Sequence, residues 1–213
     1  MTMLTTNQLN HYKDKGYISP VNALTSFEAK EIRDEIETIE KVWPGALEGI
    51  NRNYIHLISP IFNKVCLKYI GLEPHNWVTV WLAVTDANEQ NGCMRMLPGS
   101  HKKNLKIHEQ KFDENNLLTR GQTISNIQID RTDPIILKPG QISLHHPKVV
   151  HGSGLNQSDD RRIGFVIQSY IGTNVDQVIG NMYVQKARGE DEYKFHKYSK
   201  IPLKLMGINE VAC

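Results

Sequence analysis

The sequence predicts an α+β protein, mainly β, in which an antiparallel sandwich or jelly roll follows N-terminal helices that pack on one sheet. Three observations predict it. Stretches with helical periodicity occupy the N-terminal third. From Trp77 onward, short runs of alternating or β-branched residues replace them. Those runs are punctuated by Asn91-Gly92, Pro98-Gly99 and Pro139-Gly140, all strong turn signals. With 213 residues, 39% hydrophobic and 23% charged, the chain carries enough apolar matter for one packed domain, read as residues 1–213.

The elements follow in order. Thr6 to Lys15 reads as a short helix with Leu9 and Tyr12 on one side, and Gly16 stops it. YISPV is a short strand. Thr25 and Glu28 form a capping box ahead of FEAKEIRDEIETIEKVW, whose Ile32, Ile36, Ile39 and Trp43 fall on one stripe. Such a helix covers a sheet, and Pro44-Gly45 ends it. Ser59 to Lys68 reads as another helix, with proline in its first turn. In WVTVWLAV, Trp77, Thr79, Trp81 and Ala83 face one way, and Val78, Val80, Leu82 and Val84 face the other. Polar and aromatic residues on one face and aliphatic ones on the other place this strand between a cavity and a core. Leu105 to Asn126 is polar and loop-like. IILKPGQISLHH gives two short strands around a Pro-Gly turn. Arg162 to Tyr170 is a strand, with Arg162, Gly164, Val166 and Gln168 on one face. The tail from Val178 carries little periodicity.

Composition excludes several functions. Twenty-five Lys+Arg against twenty-three Asp+Glu give a net charge of +2 without long basic runs, so neither nucleic acid nor an anionic membrane is an expected partner. Cys66, Cys93 and Cys213 are odd in number and widely spaced, which fits a reducing cytoplasm. The N-terminal residues lack the apolar core of a signal peptide, and the longest apolar run is too short to span a bilayer. A small molecule, handled by a monomer or homodimer, is the expected partner.

The chemistry concentrates in HHPKVVHGSGLNQSDDRRIGFVIQ, from His145 to Gln168. If the face of Arg162 lines a barrel, its guanidinium needs an anion, and Asp159 and Asp160 lie in a polar turn facing solvent. A ligand carboxylate is then the natural partner. A surface arginine at a strand end is the competing reading. His151 lies eleven residues earlier, with Gly152 and Gly154 allowing a tight bend after it. A neutral imidazole at such a strand end suits Fe(II), Zn or Cu. His145 and His146 are adjacent on a strand, so at most one faces the same site.

These residues carry a resemblance. VTVWLAVTDANEQNGCMRMLPGSHK, LKPGQISLHHPKVVHGSGLNQSDDRRIG and RGEDEY together resemble the phytanoyl-CoA dioxygenase family of Fe(II)- and 2-oxoglutarate-dependent oxygenases. The resemblance implies a double-stranded β-helix and Fe(II) held by two histidines and a carboxylate, with 2-oxoglutarate and O2 as co-substrates. It implies that His151 is the distal iron ligand. It implies that Arg162 pairs with the far carboxylate of 2-oxoglutarate, assisted by Ser153, and that Trp81 and Thr79 line the co-substrate pocket. The implied activity is hydroxylation of a small anionic or zwitterionic metabolite, such as an amino acid or aminophosphonate. Arg188, Asn91 and His146 are the polar candidates near the mouth.

One departure stands out. The family's remaining two ligands come from His-x-Asp. None of His11, His56, His75, His101, His108, His145, His146, His151 and His196 is followed two residues later by Asp or Glu. The sequence therefore implies that a segment is missing between Lys68 and Tyr69, where the helix-like SPIFNKVCLK runs straight into YIGLEPHNWVTVW. The alternatives are a halogenase, in which alanine or glycine replaces the motif's carboxylate, and a catalytically dead jelly-roll binding protein.

Overall fold

The computed structural model describes residues 4–48, 59, 72–73, 77–103, 109–110, 122–124, 127–177, 183–184 and 190–198. Two helices lead: α1 (Thr6–Lys15) and α2 (Ser26–Val42), with β1 (Tyr17–Asn22) between them. The remaining strands are β2 (Leu72–Glu73), β3 (Trp77–Ala83), β4 (Met94–Met96), β5 (Glu109–Gln110), β6 (Gln122–Thr123), β7 (Asp133–Pro134), β8 (Gln141–His145), β9 (His151–Ser153), β10 (Gly164–Ile171), β11 (Asp176–Gln177), β12 (Tyr183–Val184) and β13 (Lys197–Tyr198).

Both helices start on reciprocal caps. Thr25 Oγ1 accepts from the Glu28 amide while Glu28 Oε2 accepts from the Thr25 amide, at 3.2 and 2.8 Å. Thr5 and Gln8 repeat the arrangement on α1, where a Thr-x-x-Gln pattern carries the same signal. Gly16 ends α1 at φ 89°, and its amide donates to the Tyr12 carbonyl at 2.8 Å. A Cβ there would also lie 2.3 Å from Val149 Cγ2.

Two antiparallel sheets form the body. One has the order β1-β8-β3-β10, and the other β7-β4-β9. Between them lies a core of Tyr17, Trp81 and Ala83 from the first sheet and Met94 and Met96 from the second, joined by Cys93, Ile135, Leu137 and Val149. A second cluster lies on the other face of β3, where Leu82, Val84 and Phe165 meet Ile32, Ile36 and Ile39 of α2. The two-residue period of one strand thus feeds two cores. Tyr17 also donates its hydroxyl to Asp133 Oδ2, tying the first strand of one sheet to the second sheet.

Three expectations change. The polar stretch 105–126 holds the short β5–β6 ladder, with Glu109 opposite Thr123. In IILKPGQISLHH, the first strand lies earlier, at Asp133–Pro134, and Leu137 makes only an isolated bridge to Ala87. The tail from Val178 contributes the parallel pair β12–β13, and β11, just before it, pairs with β2. Apart from Ser59, the helix expected over Ser59–Lys68 and the join at Lys68–Tyr69 lie outside the described residues. Among the described residues, no helix is long and apolar enough to cross a membrane.

Candidate active site

Register fixes which side chains face the space between the sheets. Residues directly opposite each other in an antiparallel pair project to the same face. Met96 lies opposite His151, and Met94 opposite Ser153. Both methionines are buried in the inter-sheet core, so His151 and Ser153 project to that side as well. Tyr17 lies opposite His145, His145 opposite Thr79, and Ser143 opposite Trp81. Tyr17 and Trp81 belong to the same core, so Ser143, His145 and Thr79 share their face.

Distances then connect these positions. The rings of His145 and His151 have centroids 5.1 Å apart. His151 Nδ1 donates to the Val149 carbonyl at 2.8 Å, which fixes the ring and leaves Nε2 as the bare nitrogen. His151 and Ser153 are exposed, so this end of the site opens to solvent. Arg162 lies two residues before β10, half-buried, with Cζ 5.7 Å from the centre of the Trp81 ring. It makes no hydrogen bond or ion pair among the described residues. Burial lowers its guanidinium from the ordinary value, with the Cys93 thiol acting in the opposite direction. Its neighbour Arg161 points elsewhere and pairs with Glu40 at 2.7 Å.

Gly164 is part of this arrangement. A Cβ at that position would lie 2.0 Å from Cζ2 of Trp81, so the indole lies across a bare stretch of backbone. The absent side chain lets the Trp81 ring lie where Arg162 can stack on it.

The site therefore brings together Thr79, Trp81, His151, Ser153 and Arg162, and adds two residues that the sequence reading did not single out. His145 is 2% exposed and Ser143 is 0% exposed. The Nδ1 of His145 and the Oγ of Ser143 are buried without a hydrogen-bond partner among the described residues. Burial, and then the nearby His151 imidazole, push His145 down to about 3, so it is neutral at physiological pH. Alternation had left His145 and His146 as alternatives, and the pairing with Tyr17 and Thr79 decides for His145. His146 instead lies with its ring 5.2 Å from that of His101. Asn91 is not a mouth residue. It is buried, accepting from the Asn88 amide at 2.8 Å and donating to the Asp86 carbonyl at 2.9 Å. Arg188 lies outside the described residues.

The donor set fits the two expected ligands unequally. An uncommitted guanidinium over an indole suits a carboxylate. For a metal, no group of three His, Cys, Asp or Glu side chains comes together among the described residues. They supply His151 and not the remaining two members of a facial triad.

Comparison with known proteins agrees with the geometry. The family model described as phytanoyl-CoA dioxygenase (PhyH) matches residues 60–164. A peroxisomal phytanoyl-CoA dioxygenase from Mus musculus is 30% identical over 100 residues, which are 45% of this chain and 29% of the mouse protein. A probable alpha-ketoglutarate-dependent hypophosphite dioxygenase from Stutzerimonas stutzeri is 31% identical over 114 residues, which are 50% of this chain and 39% of that protein. The chain thus spans well under two thirds of these relatives. Among solved structures, the apo form of the non-heme monooxygenase ThoJ superposes with a TM-score of 0.75 at 23% identity, covering 92% of this chain and 88% of ThoJ. CytC3 with Fe(II) and alpha-ketoglutarate gives a TM-score of 0.62 at 17% identity, covering 92% of this chain and 93% of CytC3.

Proposed function

We propose that the chain, whose residues 60–164 match the phytanoyl-CoA dioxygenase (PhyH) family model, is an Fe(II)- and 2-oxoglutarate-dependent dioxygenase that hydroxylates a small anionic or zwitterionic metabolite. The observation that carries this reading is Arg162, a half-buried cation stacked on Trp81 with no anion among the described residues. A buried charge without a partner is costly, and a ligand carboxylate would supply one. In this reading Arg162 holds the far carboxylate of 2-oxoglutarate, Ser153 adds a hydroxyl, and Trp81 and Thr79 wall the pocket. His151 offers Nε2 to iron. When bound, iron with 2-oxoglutarate and O2 supplies the oxidising chemistry. The chain's residues bind, orient and exclude water. The N-terminal helices would back one sheet of the jelly roll, and the cluster of Ile32, Ile36 and Ile39 with Leu82 supports that. The name of the Stutzerimonas stutzeri relative specifies a small oxyanion, in line with an anionic substrate.

The test is 2-oxoglutarate binding and substrate-dependent succinate release. His151→Ala should abolish iron retention and turnover. Arg162→Ala should weaken 2-oxoglutarate by about 2–5 kcal/mol, and Arg162→Lys should recover only part, since it lacks the planar fork. An unchanged 2-oxoglutarate KM in Arg162→Ala would reject the assignment. The absence of any His-x-Asp/Glu in the sequence favours a second reading, a jelly-roll protein that binds a carboxylate without turnover. Binding of 2-oxoglutarate without iron uptake would select it.

A further inference from the structure

The inner face of β8 holds two buried polar atoms without a hydrogen-bond partner among the described residues. Ser143 and His145 are two residues apart, so they project to the same side, opposite Trp81 and Thr79 respectively. Ser143 Oγ and His145 Nδ1 are both buried and unpartnered. Leaving a buried donor unmet costs about 1–3 kcal/mol, and most buried polar groups avoid it. Apolar side chains would fill the same positions at no such cost. On the other face of the sheet that is the pattern: Leu82 and Val84 fill the cluster with Ile32 and Ile36. The two atoms share a face with Trp81 and Thr79, the proposed pocket walls. Ser143 lies opposite Trp81, on which Arg162 stacks, and the His145 ring lies 5.1 Å from that of His151.

We propose that His145 and Ser143 are binding residues for the carboxylate ligand held between His151 and Arg162, with Nδ1–H and Oγ–H donating hydrogen bonds to its oxygens. This rests on the function proposed above and extends it, because β8 then joins β9 and β10 in recognising the co-substrate. An imidazole Nδ1–H can donate one hydrogen bond to a carboxylate oxygen.

The experiment is calorimetric titration of 2-oxoglutarate into the full chain, with and without added Ni(II), a metal that does not support turnover. His145→Phe keeps the ring and removes its nitrogens. It should raise Kd about ten-fold, the loss of one hydrogen bond to a charged group. His145→Asn places an amide N–H near the position of Nδ1 and should stay within about three-fold of wild type, a rescue that a packing role would not give. Ser143→Ala should raise Kd about three-fold or more, with the melting temperature unchanged or higher. It decides the matter should His145→Phe fail to fold. If Arg162→Ala abolishes binding while both His145→Phe and Ser143→Ala bind as wild type does, the inference falls and the proposed function stands. If the wild-type chain takes up no 2-oxoglutarate, both fall.

Discussion

The two faces of β3 solve opposite problems. Toward α2, Leu82 and Val84 meet Ile32, Ile36, Ile39 and Phe165 in an aliphatic and aromatic cluster. Toward the second sheet, Trp81 and Ala83 share space with methionines, a buried histidine and a buried serine. The two adjacent arginines divide in the same way. Arg161 is exposed and bonded to Glu40 of α2, whereas Arg162 is half-buried over Trp81 without an anion among the described residues. One face is therefore complete in itself, and the other, in the proposed reading, is completed by a ligand. Stability and binding should separate along this line.

Substitutions can test that separation, beginning with the largest. Ile39 is fully buried against the sheet, so Ile39→Ala should cost about 2–5 kcal/mol. Chemical denaturation would show it, while the affinity for 2-oxoglutarate in the folded fraction should not move. A loss of affinity would mean that the faces are coupled. Gly164→Ala forces a Cβ against the Trp81 ring and should cost about 1–3 kcal/mol. Here affinity should fall too, because Trp81 and Arg162 must shift together. Retained affinity would show that the indole does not shape the pocket.

A polar exchange sharpens the contrast. Val84→Thr places a hydroxyl in the aliphatic cluster and should destabilise by about 1–3 kcal/mol. Ser143→Ala removes a hydroxyl that has no partner, so the unliganded protein should be as stable as wild type or more so. Paired melting curves without ligand would show both. Equal losses would erase the distinction between the faces. The smallest destabilisation is expected at Thr25→Ala, which removes one half of the α2 capping box. It should cost about 1 kcal/mol in melting experiments and leave ligand affinity unchanged.

Much of this was legible in the sequence. The capping box at Thr25, the stop at Gly16 and the alternation of WVTVWLAV each rest on local rules, and each is present in the structure. The conjunction of His151 with Arg162 marked the stretch from which the proposed site is drawn. His145 stayed ambiguous beside His146, because the choice depends on strand register, set by Tyr17 and Thr79 at separations no local pattern spans. The short ladder of β5 and β6 was hidden for another reason. Two-residue strands carry no period, and their polar residues read as loop.

The placement of β1 also sets a schedule. Tyr17 pairs with His145, and its hydroxyl reaches Asp133, so this strand finds its neighbours only after more than a hundred further residues exist. At about 5–20 residues per second, the ribosome needs roughly 6–25 s to make the 128 residues between positions 17 and 145. During that interval Tyr17 and Ile18, both buried in the finished protein, remain uncovered by β8. The first strand made is thus among the last to be sheltered, and a nascent chain halted before residue 141 should recruit chaperones through its N-terminal end.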